Sequence, residues 1–228
     1  MIEPALRSRR AALPFALALG RIDGRSAYHA LTGNDPSDAR VDDDRSFDGH
    51  VFASILAVAA TEGLAVASLA GLDSSELEAL MARRFPRAGH LLAMWSALAA
   101  HGGDEDEIAM VSDLLLANRS TEGEDGYLLA AMIARRSMEP NHLWEDLGLR
   151  NRSELTRLLT RHFAPLAARN TNNMKWKRFF YRMLCEDEGF SMCSTPVCSA
   201  CSDFQTCFGE ESGESRLAHA RRASALEA

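Results

Sequence analysis

Five cysteines occur in the 228 residues, and all of them fall between positions 185 and 207. The last four, Cys193, Cys198, Cys201 and Cys207, have the spacing C-x4-C-x2-C-x5-C. Thiolates this close together pair as disulfides, hold a zinc ion, or hold an iron-sulfur cluster. Disulfides at these separations would close strained small loops, and an odd count crowded into one segment suits a reducing compartment. Zinc sites generally use two C-x2-C pairs separated by a longer loop, and only Cys198 and Cys201 have that spacing. Iron-sulfur clusters often take three closely spaced cysteines and one more, wrapped by a loop whose N–H groups donate to sulfur. Ser194, Thr195 and Pro196 are turn-prone residues suited to such a wrap. The spacing favours iron and sulfide over zinc and leaves both open. Cys185 stands apart, since a lone helical cysteine is more often a small buried hydrophobe than a ligand.

The element leading into the cysteines must position them. From Asn173 to Asp187, residues Trp176, Phe179, Phe180, Met183 and Leu184 recur at helical spacing and define one apolar face. Lys175, Arg178 and Arg182 share another face, with Lys177 beside them. Such a face is commonly just solvated. Beside a thiolate cluster, in a chain of formal net charge -7, it also sets up a local positive potential that attracts an oxyanion or an acidic partner. His50, His142 and His162 lie on amphipathic segments and read as satisfied surface or boundary residues. His50 and His162 stay open as non-thiolate ligands to a metal other than iron.

Composition limits the remaining possibilities. Hydrophobic residues make up 46% and charged residues 25%, ordinary for a globular chain. Alanine and leucine abound while β-branched residues are sparse, which favours helix. The sequence pI of about 5.5 argues against a nucleic-acid partner. No apolar run reaches the roughly 20 residues of a membrane span. The basic and then apolar stretch from Arg7 to Leu19 is interrupted by Pro14 and lacks a small-residue cleavage site, so it does not read as a secretory signal. A cytoplasmic location is expected.

The chain is expected to be all-α: a helical bundle with a duplicated helix-turn-helix unit, followed by a C-terminal cysteine-rich metal-cluster loop. Residues 1–46 read as a flexible leader with one short helix near Leu6 to Leu19, 47–173 as the bundle, 174–209 as the basic helix with the cluster segment, and 210–228 as a flexible tail. Self-comparison carries the duplication. Asp48-Gly49-His50-Val51-Phe52 aligns with Asp125-Gly126-Tyr127-Leu128-Leu129, Gly71-Leu72 with Gly148-Leu149, and Ser75-Glu76-Leu77 with Ser153-Glu154-Leu155. The units span about 48–86 and 125–163. Asp73 with Glu76, and Asn151 with Glu154, have capping-box spacing at the start of the second helix of each unit. Single helices are expected over His90–Ala100 and Asp104–Asn118, and Thr171 or Asn172 is expected to cap the last long helix.

The run from Met174 to Glu186 and the cysteine motif ending Cys207-Phe208-Gly209 resemble the NifQ family of nitrogen-fixation proteins. Val51 to Leu56, Leu80 to Pro86 and His142 to Leu149 are similar too, so the resemblance covers about residues 47–209. It implies a molybdenum donor for the iron-molybdenum cofactor of nitrogenase, carrying a molybdenum-iron-sulfur cluster. It further implies Cys193, Cys198, Cys201 and Cys207 as the ligands and leaves the role of Cys185 open. The partners implied are molybdate as metal source, and the nitrogenase cofactor assembly scaffold with its associated iron protein. Chemistry is compatible: molybdate is a hard oxyanion, whereas a cofactor precursor needs soft sulfide and thiolate around the metal. Lys175, Lys177, Arg178 and Arg182 are positioned to draw the anion in. Such a protein is a carrier rather than a turnover enzyme. The rivals are a helical interaction protein with a structural zinc knuckle, and a simple iron-sulfur electron carrier.

Overall fold

A computed structural model describes residues 22–63, 65–95, 105–187 and 204–209. Helices account for all regular structure among these residues. α1 is Gly24–Thr32, α2 Asp44–Glu62, α3 Val66–Leu69 and α4 Ser74–Arg84. A 3-10 turn at Pro86–Leu91 leads into α5 Leu92–Trp95. Then follow α6 Glu105–Ala117, α7 Glu124–Ser137, α8 Leu143–Asp146, α9 Arg152–His162, α10 Ala164–Arg169, α11 Trp176–Asp187 and α12 Phe204–Phe208.

α2 is the central element. Every residue from His50 to Ala60 is buried, so apolar side chains point in all directions, as a helix surrounded by others requires. α1 packs along it through Ala27, Tyr28 and Leu31. Residues 22–46 therefore belong in part to the folded body, which corrects the reading of 1–46 as a flexible leader. The polar residues of this stretch act as caps. Asp23 accepts from the Arg25 and Ser26 N–H groups at the start of α1, and Asp43 accepts from Ser46 N–H at 2.9 Å at the start of α2. The expected helix at 6–19 and the tail lie outside the described residues. The expected His90–Ala100 helix is a 3-10 turn running into the short α5, with its remainder also outside them.

The elements of the bundle recur in order. α3 begins at Val66 and α8 at Leu143, 77 residues on; α4 begins at Ser74 and α9 at Arg152, 78 residues on. The two sets dock reciprocally. Gly71, at φ 82°, abuts α7 so closely that a Cβ would lie 2.6 Å from Arg135 Cβ and 2.7 Å from the Ala131 carbonyl. Gly148, at φ 70°, abuts α2 in the same way, 2.6 Å from Val58 Cγ2 and 2.7 Å from the Ser54 carbonyl. Both positions need the left-handed backbone and the missing side chain.

Charges close the same seam. Asp48 on α2 receives Arg161 Nε at 2.9 Å and His162 Nε2 at 3.0 Å from α9. Asp125 on α7 meets Arg83 at 2.9 Å and also Arg84, both from α4. Burial pushes the Asp48 carboxyl up, but hydrogen bonds from His162 and Arg161 overcome it and hold the group below its ordinary value.

Candidate metal-cluster site

The apolar face expected on α11 is buried: Trp176, Phe179, Phe180 and Met183 are each at most 4% exposed. Trp176 meets Phe179 edge-on with ring centroids 5.7 Å apart. This face lies against α6. The approach to the helix is held from α9, where Arg152 donates to the Asn173 carbonyl at 3.0 Å and the Met174 carbonyl at 2.8 Å. Asn173 has φ 55°, and Asn170 rather than Thr171 or Asn172 ties the turn, accepting from Met174 N–H at 2.8 Å. The helix begins at Trp176, so residues 171 and 172 lie too far before its first residue to cap it, which corrects the expected cap.

That turn leaves the Lys175 N–H pointing at the cysteine segment. It donates to the Cys207 carbonyl at 2.9 Å, and Lys175 Nζ reaches the Gln205 carbonyl at 3.4 Å. α12 is thereby docked against the start of the basic helix, with Cys207 half-buried against the core. Gly209 closes α12 by donating to the Gln205 carbonyl at 2.9 Å, and a Cβ there would sit 2.4 Å from that oxygen. Cys185 is half-buried near the other end of α11, about 15 Å along the axis from Lys175 at the helical rise per residue. Cys193, Cys198 and Cys201 lie outside the described residues. Among the described residues no three His, Cys, Asp or Glu side chains converge in a way that would hold a metal ion.

The four basic residues separate into two pairs. Lys177 bonds Asp146 Oδ2 at 2.7 Å and the Glu139 carbonyl, and Asp146 is fully buried. Burial pulls the Lys177 ammonium below its usual range, only partly countered by Asp146. Lys177 therefore clasps α11 to α8 instead of projecting into solvent. Arg182 Nε donates to Glu186 at 2.7 Å, and Arg169 stands 3.8 Å from the same carboxylate beside a cavity of about 300 Å3. Lys175 and Arg178 have no carboxylate partner among the described residues, and Arg178 is exposed.

His50 and His162 are not at the surface. His50 is 3% and His162 1% exposed, because α2 and α9 bury them in the seam. His50 Nδ1 lies 2.8 Å from the Tyr28 hydroxyl and Nε2 3.2 Å from Glu154. His162 has Thr121 at 2.8 Å on Nδ1 and Asp48 on Nε2. With both nitrogens engaged, neither ring has a lone pair free for a metal in this arrangement. His142 is half-buried at the start of α8, its N–H donating to Glu145 at 2.9 Å. Burial pushes the Glu154 carboxyl up, but His50 and Arg150 outweigh it and bring it to about 2. An ionised carboxylate only accepts, so His50 Nε2 is the donor to Glu154.

Glu154, Asp146 and Tyr28 were missed as partners because their contacts join distant positions. Arg136 is a further case: fully buried, it forms a fork to Glu62 at 2.7 and 2.8 Å and donates to the Asp146 carbonyl at 2.9 Å. A charged residue within an apolar helical run was the available signal.

Among the described residues the protein is all-helical, with the last cysteine of the motif docked at the base of a basic helix. The NifQ family model matches residues 51–209. A Sinorhizobium fredii protein described as a NifQ homolog is 42% identical over 185 residues, covering 79% of this chain and 78% of its own length. Azotobacter vinelandii NifQ is 37% identical across 62% of this chain and 77% of itself, and Rhodobacter capsulatus NifQ 45% identical across 44% and 56%. No solved structure gives a match. The chain belongs to the NifQ family of nitrogen-fixation proteins. Among the described residues no helix is long and apolar enough to cross a membrane.

Proposed function

We propose that this protein is a cytoplasmic carrier that receives molybdenum from molybdate, holds it in a molybdenum-iron-sulfur cluster, and delivers it for assembly of the iron-molybdenum cofactor of nitrogenase. Family membership supports the role, and four closely spaced thiolates are a donor set suited to iron and sulfide. The observation that carries the reading is the Lys175 N–H to Cys207 carbonyl bond, which brings the last cysteine of the motif to the base of the basic helix. Cys193, Cys198, Cys201 and Cys207 would hold the cluster. Lys175 and Arg178, unneutralised by carboxylates among the described residues, would draw in the oxyanion, with Arg182 at the margin. Lys177 contributes by fixing the helix. Delivery needs contact with the cofactor assembly scaffold and its iron protein.

The test is metal analysis of protein purified without oxygen from cells supplied with molybdate and iron. Iron and acid-labile sulfide with molybdenum, lost in Cys198→Ala and Cys207→Ala while helical circular dichroism persists, is the expected result. One zinc per chain without sulfide, surviving attempted cluster reconstitution, would overturn it in favour of a structural knuckle.

A further inference from the structure

A second basic region lies in the first half of the bundle, formed by different elements from the cysteine site. A cavity of about 450 Å3 opens between the end of α1, the start of α2 and the turn after α4. Arg40, Arg84 and Arg87 line it, and Asp38 is the one acidic residue of the lining. Three guanidiniums against one carboxylate make the lining positive in a chain of net charge -7. Arg84 is tied to Asp125, whereas Arg40 and Arg87 are exposed and have no ion-pair partner among the described residues.

The equivalent place in the second half shows that this opening is not a necessity of the fold. Gly49 faces the cavity, and a Cβ there would meet nothing within 4 Å. Gly126, 77 residues on, has Arg119 Cδ at 2.8 Å from such a Cβ. Arg119 lies over the ring of Tyr127, 3.8 Å from its centroid, and Tyr127 stands where the first half has His50. An arginine thus covers the second-half position, while the first-half position is open. A glycine inside a helix costs roughly 1 kcal/mol relative to alanine, and at Gly49 no close packing requires it.

We infer that the cavity over Gly49 and His50 is a binding site for a small doubly charged oxyanion, held between the guanidiniums of Arg40 and Arg87. Arginine forks match the paired oxygens of such anions, and the two unpaired guanidiniums outweigh the single carboxylate of Asp38. The volume exceeds that of a bare tetrahedral oxyanion, so water completes its shell. The rings of the lining, Tyr28, His50 and Phe85, are at most 5% exposed, leaving no ring face on which a nucleotide base could stack. This site goes beyond the donor reading and stands without it.

The experiment is equilibrium dialysis of the full chain at low ionic strength against molybdate, sulfate and phosphate in separate arms. Saturable binding of one anion per chain is expected in at least one arm. Arg40→Glu, Arg87→Glu and Gly49→Leu should each weaken it at least tenfold. Gly49→Leu fills the cavity while improving helix propensity, so its loss of binding with unchanged circular dichroism is not unfolding. Preference for molybdate makes the cavity a reservoir for the incoming metal, and equal binding of all three makes it a general oxyanion site; both support the inference. No saturable binding in any arm, binding unchanged in the three cavity variants, or binding lost only in Lys175→Glu with Arg178→Glu would overturn it. Metal and sulfide analysis reads the donor role by itself, so the two readings fail separately.

Discussion

The two halves of the bundle use the same joints and differ in what they leave at the surface. Gly71 and Gly148 make the same close approach to the opposite half, and Asp48 and Asp125 receive the same pair of positions from the opposite second helix. The capping residues then diverge. In the first half Asp73 and Glu76 form a complete capping box, each bonding the other's N–H at 2.8 Å. In the second, Asn151 still accepts from Glu154 N–H at 3.1 Å, but the Glu154 carboxylate turns to Arg150 and His50. One glutamate serves its own helix; the other joins the halves. Shared joints maintain the bundle, and the differences between equivalent positions mark where this chain can do something besides fold.

The joints give the largest expected effects. Gly148→Ala and Gly71→Ala should each cost roughly 2–5 kcal/mol in denaturant unfolding, combining left-handed strain with a clash against backbone. A midpoint unchanged in either variant would end the claim of reciprocal docking. Asp48→Asn should cost roughly 3 kcal/mol and Asp125→Asn about 1, since the Asp48 side chain is 3% exposed and that of Asp125 17%. Equal losses would show that the seam is energetically symmetric.

Lys177→Ala should cost roughly 2–3 kcal/mol because it leaves Asp146 buried without its cation, and hydrogen exchange should quicken along α11. Arg178→Ala, on the exposed face, should stay within about 0.5 kcal/mol. Acidification separates the two glutamates more gently. Glu154 is depressed to about 2, so its contribution is complete above the ordinary carboxyl range near 4.5 and fades as pH falls toward 2. Glu154→Gln should flatten the loss of stability between those limits, with unfolding followed at each pH. Glu76→Gln, at an exposed cap, should change stability by about 0.5 kcal/mol or less.

Much of the fold was legible because it rests on local chemistry. Helix starts at Asp73 and Asn151, the apolar stripe of α11 and the recurrence of Gly-Leu all come from residues close in sequence, and each maps onto an observed element. The leader was misread because its aspartates carry the same signature whether they cap a helix or solvate a loop, and only burial of Tyr28 against α2 distinguishes the two. The basic face was legible as four charges but not as two pairs, since Asp146, which engages Lys177, lies 31 positions away.

By itself the sequence determined the helical class, the caps at Asp73 and Asn151, the buried face of the basic helix and the crowding of thiolates at Cys193, Cys198, Cys201 and Cys207, because spacing along one chain suffices for each. Tertiary structure decided which charges are spent in the seam and which remain free, which half keeps an open cavity, and that Cys207 meets Lys175. The physical reason is distance along the chain. His50 reaches Glu154 and Asp48 reaches His162 across more than 100 residues, and no periodicity records a partner that only folding brings within hydrogen-bonding range.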